Sequence, residues 1–212
     1  MVFASREAAG QMLGRFLREQ GTRADLVLGL PRGGVIVAAE VSHVLQLPLE
    51  ALIVRKIGHP WHREFALGAM AEGGVVVLDS AAISRNPLLQ TELEQIIEEE
   101  KQRLQVYQDR FRQMALDLHG KTVLLVDDGL ATGSTTEAGV LSARKQNAAR
   151  IVVAAPVAST NAVERLQKVA DEVSCLFIDP AFDAVGRYYE VFSQTTDVEV
   201  LDLLRAEAVK GG

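Results

Sequence analysis

Thr122-Val-Leu-Leu-Val-Asp-Asp-Gly-Leu-Ala-Thr-Gly-Ser-Thr-Thr136 is the stretch from which the rest of this chain can be read. An unbroken apolar run, Val123 to Val126, ends in two adjacent carboxylates, Asp127 and Asp128. A loop of small and hydroxyl residues follows, and then a helical pattern begins. An apolar run of this kind is how a strand buried on both faces is written. The N–H groups of such a loop and of the helix N-terminus after it converge on anions. Gly129 and Gly133 let the backbone come close to a ligand and take positive φ, and the hydroxyls of Thr132, Ser134 and Thr135 add donors. The two carboxylates can accept hydrogen bonds from a sugar diol. The order therefore suits a sugar phosphate. No Lys follows Gly133 and no G-x-G-x-x-G spacing is present, so neither a Walker loop nor a dinucleotide fingerprint is read here.

The bulk properties narrow the remaining classes. At 212 residues and 48% hydrophobic content the chain can bury a sizeable core, and residues 1–212 are expected to form a single domain. A net charge of -6 and a pI near 5.3 give no basic footprint for nucleic acid. No long uncharged span is present, and Met1-Val-Phe-Ala-Ser-Arg-Glu7 carries no apolar signal region, so no membrane role is expected and a cytoplasmic protein is. Cys175 is the sole cysteine, which excludes an intramolecular disulfide and a multi-Cys zinc site.

Short apolar runs alternate with helical patterns, the arrangement of a parallel sheet with helices on both faces. Strands are expected at 25–30, 49–55, 75–79, 122–127, 151–157 and 174–178. Helices are expected at 5–20, 34–45, 135–147, 161–170 and 198–208, with Ser5 and Ser159 as N-caps. The α/β core spans about 21–178, and a small hood is expected over about 179–212 with help from 1–20. An extra long helix is read from Pro87 to about Leu118, with Leu89, Leu93, Ile97, Leu104, Tyr107, Phe111 and Met114 on one face. That stripe suits core packing, and it equally suits a lid or the interface of a homodimer.

Five motifs together carry a resemblance. The strand, acid pair and Thr-Gly-Ser-Thr loop of 122–136 resemble the phosphoribosyl pyrophosphate (PRPP) signature of type I phosphoribosyltransferases. Gly29-Leu-Pro-Arg-Gly-Gly34 resembles the family's pyrophosphate loop, where the backbone can adopt a cis non-proline peptide. Val54-Arg-Lys-Ile-Gly58 is similar to the Arg-Lys-Gly strand end of adenine phosphoribosyltransferases, and His59-Pro-Trp-His-Arg-Glu64 stands where the family has its closing loop. Asp179-Pro-Ala-Phe-Asp-Ala-Val-Gly-Arg-Tyr-Tyr-Glu190 resembles the base-binding hood.

The resemblance implies a Rossmann-like, mostly parallel central sheet with flanking helices, a hood, and transfer of phosphoribosyl from PRPP to a nitrogenous base. It further implies that Asp127 and Asp128 hold the ribose hydroxyls and Mg²⁺, directly or through water, and that Ala131, Thr132, Gly133, Ser134 and Thr135 hold the 5′-phosphate. Arg32, Gly33, Gly34, Arg55 and Lys56 would hold pyrophosphate, with Arg32 and Lys56 assisting catalysis, and Phe182 and Val185 would hold the base. Arg63 could reach a phosphate and Glu64 could assist a proton transfer. Ala131 and Tyr189 stand where 6-oxopurine enzymes carry acids, which argues against a standard hypoxanthine or guanine enzyme. The alternative is a catalytically silent, PRPP- or nucleotide-sensing regulator.

Overall fold

The computed structural model describes residues 1–59, 66–79, 83, 87–111 and 116–210. Five strands form a parallel sheet in the order β2-β1-β6-β7-β8: β1 (Leu26–Gly29), β2 (Leu49–Ala51), β6 (Thr122–Val126), β7 (Arg150–Ser159) and β8 (Glu172–Asp179). Their residues are almost all buried at β1, β6 and β7, as the continuous Val/Leu/Ile/Ala runs require when helices cover both faces. On one face α1 (Arg6–Glu19) and α2 (Gly33–Leu45) enclose Leu13, Leu17, Val27, Val37, Val41 and Leu124. The other face packs against α4 (Ser134–Lys145) and α5 (Thr160–Leu166), through Ala138, Val140, Ala162 and Leu166. Ser5 and Ser159 cap α1 and α5, their hydroxyls accepting from Ala8 N at 3.3 Å and Ala162 N at 3.0 Å.

A second sheet departs from the sequence reading. The single strand expected at 49–55 is two: β2 stops at Ala51, and β3 (Val54–Gly58) begins a separate antiparallel sheet with β4 (Ala66–Ala71) and β5 (Val75–Leu78). The corner is held by buried Glu72, whose Oε1 accepts from Ile53 N at 2.6 Å. An apolar run records burial and not which sheet the backbone joins, so the corner leaves no mark in Ala51-Leu-Ile-Val54. β4, Ala-Leu-Gly-Ala-Met-Ala, lacks β-branched residues and reads poorly as a strand.

The long helix α3 (Pro87–Phe111) lies on this second sheet. Leu104 and Phe111 are buried, and Leu93, Ile97 and Tyr107 are partly so, in a cluster with Ile57, Leu67 and Met70. Residues 116–118, expected as its last turn, are not helical. Leu118 is buried in the central core and Gly120, at φ +71°, turns the chain into β6. The terminal helix α6 (Asp197–Lys210) also leaves the expected hood, placing Val200 against Val35 and Ala51 and packing on α2 and β2. The segment between β8 and α6 does pair with the N-terminus: Phe3 N donates to Tyr188 O at 2.7 Å and Glu190 N to Phe3 O at 2.8 Å.

Candidate active site

β1 connects to β2 on one side of it, and β6 lies on the other, so the C-terminal ends of β1 and β6 form the switch point at which open α/β sheets bind ligands. Gly29 is in register with Val126, which sets the loop after β1 beside the acid pair after β6. The contact is tight. A Cβ on Gly33 would stand 2.1 Å from Asp128 Oδ2, and one on Gly34 2.9 Å from Asp127 Cα and Oδ1. Only glycine lets these two loops meet. The peptide between Pro31 and Arg32 is cis. Arg32 is 38% exposed, with Nη1 3.8 Å from Asp197 Oδ1.

Asp127 accepts from its neighbour's backbone, Asp128 N, at 2.9 Å and from Thr136 Oγ1 at 3.3 Å. Burial and the adjacent charge of Asp128 push its carboxyl up to about 7, against the opposing pull of the Asp128 N–H, the Lys56 charge and the Thr136 hydroxyl. Asp128 is placed differently. Its Oδ2 receives Arg6 Nε at 2.7 Å, and its backbone oxygen receives the Tyr189 hydroxyl at 2.5 Å. Burial, with the Asp128 charge behind it, drives the Tyr189 phenol far above its ordinary range.

The loop after the acid pair enters α4 through Gly133 at φ +74°, where the N-cap residue offers no side chain and Thr132 Oγ1 accepts from Ser134 N at 3.4 Å. Ser159 Oγ holds the loop by donating to Ala131 O at 2.6 Å, and Thr132 Oγ1 lies 3.0 Å from Ser134 Oγ. Ala131 and Thr132 are exposed, and Ser134 and Thr135 half-buried. Arg165, from α5, pairs with Glu137 at 2.5 Å behind this loop.

Not every residue expected at this cleft reaches it. Alternation along β3 sends Arg55 and Lys56 to opposite faces. Lys56 acts on Asp127, whereas Arg55 turns to the long helix, its Nε 2.7 Å from Glu100 Oε2 and its Cζ 5.0 Å from the Tyr107 ring centroid. Val185 lies against the acid-pair loop, since a Cβ on Gly129 would come within 2.6 Å of its Cγ1. Phe182 has one ring face on Tyr188, at 5.2 Å and 21°, and Tyr188 donates to Asp179 Oδ2 at 2.7 Å. His62, Arg63 and Glu64 lie outside the described residues. Arg6, Thr136 and Phe192 are not among the site residues read from the sequence, and Tyr189 enters there only as a departure from the 6-oxopurine pattern, because a charged residue in a first helical turn and aromatics in a tail give no motif.

A cavity of about 290 Å³ opens beside this cleft, between Arg6, Arg32, Gly33, Phe192 and residues 193–195. A larger one, about 600 Å³, lies elsewhere against Arg18, Arg23 and His43 and contains none of the residues discussed so far. Among the described residues no helix is long and apolar enough to cross a membrane.

Fold and site together define a parallel α/β domain whose acid pair and glycine loops meet at the strand switch point. The chain belongs to the phosphoribosyl transferase domain family, whose model matches residues 3–190. It is 40% identical, over 205 residues and 96% of its length, to a Mycobacterium tuberculosis protein provisionally named a phosphoribosyl transferase, and it spans only 46% of that relative. The crystal structure of TT1426 from Thermus thermophilus is similar at 42% identity, with a TM-score of 0.78 over 96% of this chain and 98% of that one. A purine phosphoribosyltransferase from Pyrococcus horikoshii shares the fold alone, at 19% identity and a TM-score of 0.50 over 90% of this chain and 91% of the other.

Proposed function

We propose that this chain transfers the phosphoribosyl group of PRPP to a nitrogenous base and releases pyrophosphate. The observation that carries the reading is the meeting of Asp127–Asp128 with Gly33–Gly34 at the β1–β6 switch point, in a chain of this family. The C1–O bond to pyrophosphate breaks with its electron pair leaving on oxygen. The acceptor nitrogen supplies the pair of the new C1–N bond and sheds its proton. Charge therefore leaves C1 and accumulates on pyrophosphate, and the protein's work is to position and to neutralise.

The N-terminus of α4 and the hydroxyls of Thr132, Ser134 and Thr135 hold the 5′-phosphate in this reading. Asp127 and Asp128 receive the ribose hydroxyls, while Arg32 and Lys56 face the pyrophosphate. A carboxyl pushed up to about 7 by burial and the adjacent Asp128 charge is one that a cation would return to its ionised form, so Asp127 fits a nearby Mg²⁺. Mg²⁺ is commonly held by one or two carboxylates together with substrate phosphate oxygens, and when bound it would balance charge on the leaving group. Val185 and Phe182 would hold the base in this reading.

The test is to incubate the protein with PRPP, Mg²⁺ and a pool of purine, pyrimidine and related bases, and to measure pyrophosphate and new nucleotide masses together. A base-dependent nucleotide is the expected product. PRPP binding with no turnover of any base would overturn the transferase reading in favour of a sensor.

A further inference from the structure

Arg6 is the residue this fold uses and no motif announces. It is only 8% exposed, yet its guanidinium commits two of five N–H donors: Nε to Asp128 Oδ2 at 2.7 Å and Nη1 to Ser193 O at 2.9 Å. Its plane rests on Phe192, with Cζ 4.0 Å from the ring centroid, a contact that steadies the fork without using an N–H. Three donors are left without an acceptor among the described residues, on the wall of the 290 Å³ cavity. Thr195, 5% exposed, lines the same cavity with a hydroxyl that also has no partner among the described residues.

We propose that Arg6 is a second ligand of the leaving pyrophosphate, set across this cavity from Arg32 and tying the leaving group to the ribose-binding carboxylate; the proposal rests on the transferase reading. The cavity presents donors in excess, two guanidiniums and the Gly33 backbone, while the Thr195 hydroxyl is buried in its wall. A neutral base has too few acceptors to satisfy them, and a diphosphate supplies both oxygens and charge. Its place agrees, because a Cβ on Gly33 would stand 2.7 Å from Arg6 Nε, so the guanidinium lies directly against the Arg32–Gly33 loop. Asp197, the acid near Arg32, is 3.8 Å away, too far for a hydrogen bond, and it also pairs with Arg110, so it leaves Arg32 able to turn to a ligand. One planar fork can hold Asp128 on one edge and phosphate oxygens on another; a lysine cannot.

Calorimetric titration of the wild type, Arg6→Gln and Arg6→Lys with PRPP, pyrophosphate and ribose 5-phosphate, each with Mg²⁺, tests the assignment. Arg6→Gln is expected to weaken PRPP and pyrophosphate by about tenfold to hundredfold, the loss of charge-assisted hydrogen bonds. Ribose 5-phosphate should stay within about threefold, and Arg6→Lys should not restore the diphosphate ligands. Should Arg6→Gln fail to fold, Phe192→Leu serves instead, since that ring is 42% exposed; it should lower pyrophosphate affinity by about threefold to fivefold and spare ribose 5-phosphate. Equal losses for all three ligands would reduce Arg6 to a prop for Asp128 and overturn the proposal, as would unchanged pyrophosphate affinity. A wild type that binds no PRPP would overturn the transferase reading itself, whereas PRPP binding indifferent to Arg6 overturns this inference alone.

Discussion

Asp127 and Asp128 stand side by side at the end of β6, and the surroundings of the two carboxylates differ throughout. Asp127 receives one backbone N–H and one hydroxyl, with no cation in hydrogen-bond contact among the described residues, and its carboxyl is pushed up to about 7. Asp128 has Arg6 at 2.7 Å, the Gly33 backbone against its side chain and Tyr189 on its main-chain oxygen. The first acid is short of positive charge and the second is tied to the N-terminal helix and the tail. Two identical side chains thus stand in different surroundings: one is buried with a raised carboxyl, and the other is tied to the loop after β1, the N-terminal helix and the tail.

The largest effect should come from the glycine that the second acid requires. Gly33→Ala puts a methyl 2.1 Å from Asp128 Oδ2 and 2.7 Å from Arg6 Nε, so the two loops must part. PRPP affinity should fall at least about hundredfold, comparable with loss of several charge-assisted contacts, while circular dichroism stays that of the native fold. Retained affinity would mean that the loops do not need to touch. Asp128→Asn comes next. It keeps an acceptor for Arg6 and removes the charge, so turnover should fall about tenfold to hundredfold against a stability loss of about 1–3 kcal/mol. Normal turnover in a folded variant would remove Asp128 from the site.

The same contrast marks how far the sequence could be read. Val123–Val126 followed by Asp-Asp-Gly is legible because burial, strand and loop chemistry all fall within one short segment. Strands β1, β6, β7 and β8, the helices around them and the two N-caps were legible for that reason. Arg6 is not, because what makes it notable is a contact across 122 positions of chain. The corner between Ala51 and Val54 was hidden for another reason: both of its strands are buried, and apolar character says nothing about which neighbour a backbone N–H will choose. Arg55 shows the limit of a motif. The Arg-Lys-x-Gly string was recognised, and strand alternation, which sends the first residue of the pair to Glu100, was what decided its direction.

A smaller effect follows from pH. The Asp127 carboxyl stands above its ordinary 3.8, so between about 4 and about 7 the folded protein keeps a proton that the unfolded chain has released. Its contribution is therefore greatest in acid, declines as pH rises toward 7, and is level above. The acids held low, Asp171, Asp179 and Glu199, act in the opposite sense but at lower pH, so a window from pH 5 to 8 lies above them. Over that window Asp127→Asn should flatten the decline in thermal midpoint by a few degrees, at about 2–4 °C per kcal/mol for a chain of this size. Parallel curves for the two proteins would show that Asp127 is ionised throughout, and the contrast with Asp128 would collapse.

The smallest effect on binding, and the sharpest on assignment, should come from the Arg55–Lys56 pair. Arg55→Ala leaves Glu100, 7% exposed, with Arg103 alone and removes the cation over Tyr107, so α3 should loosen at a cost of about 1–3 kcal/mol. PRPP affinity should then move by no more than about threefold. Lys56→Ala should do the reverse, sparing the thermal midpoint of an exposed side chain while weakening PRPP about threefold to tenfold. The two substitutions are adjacent, remove one positive charge each and lie on one strand, so a difference between them cannot come from net charge or from the backbone. If Arg55→Ala weakens PRPP as much as Lys56→Ala does, then Arg55 must leave Glu100 when ligand arrives, and the long helix would belong to the site rather than to its support.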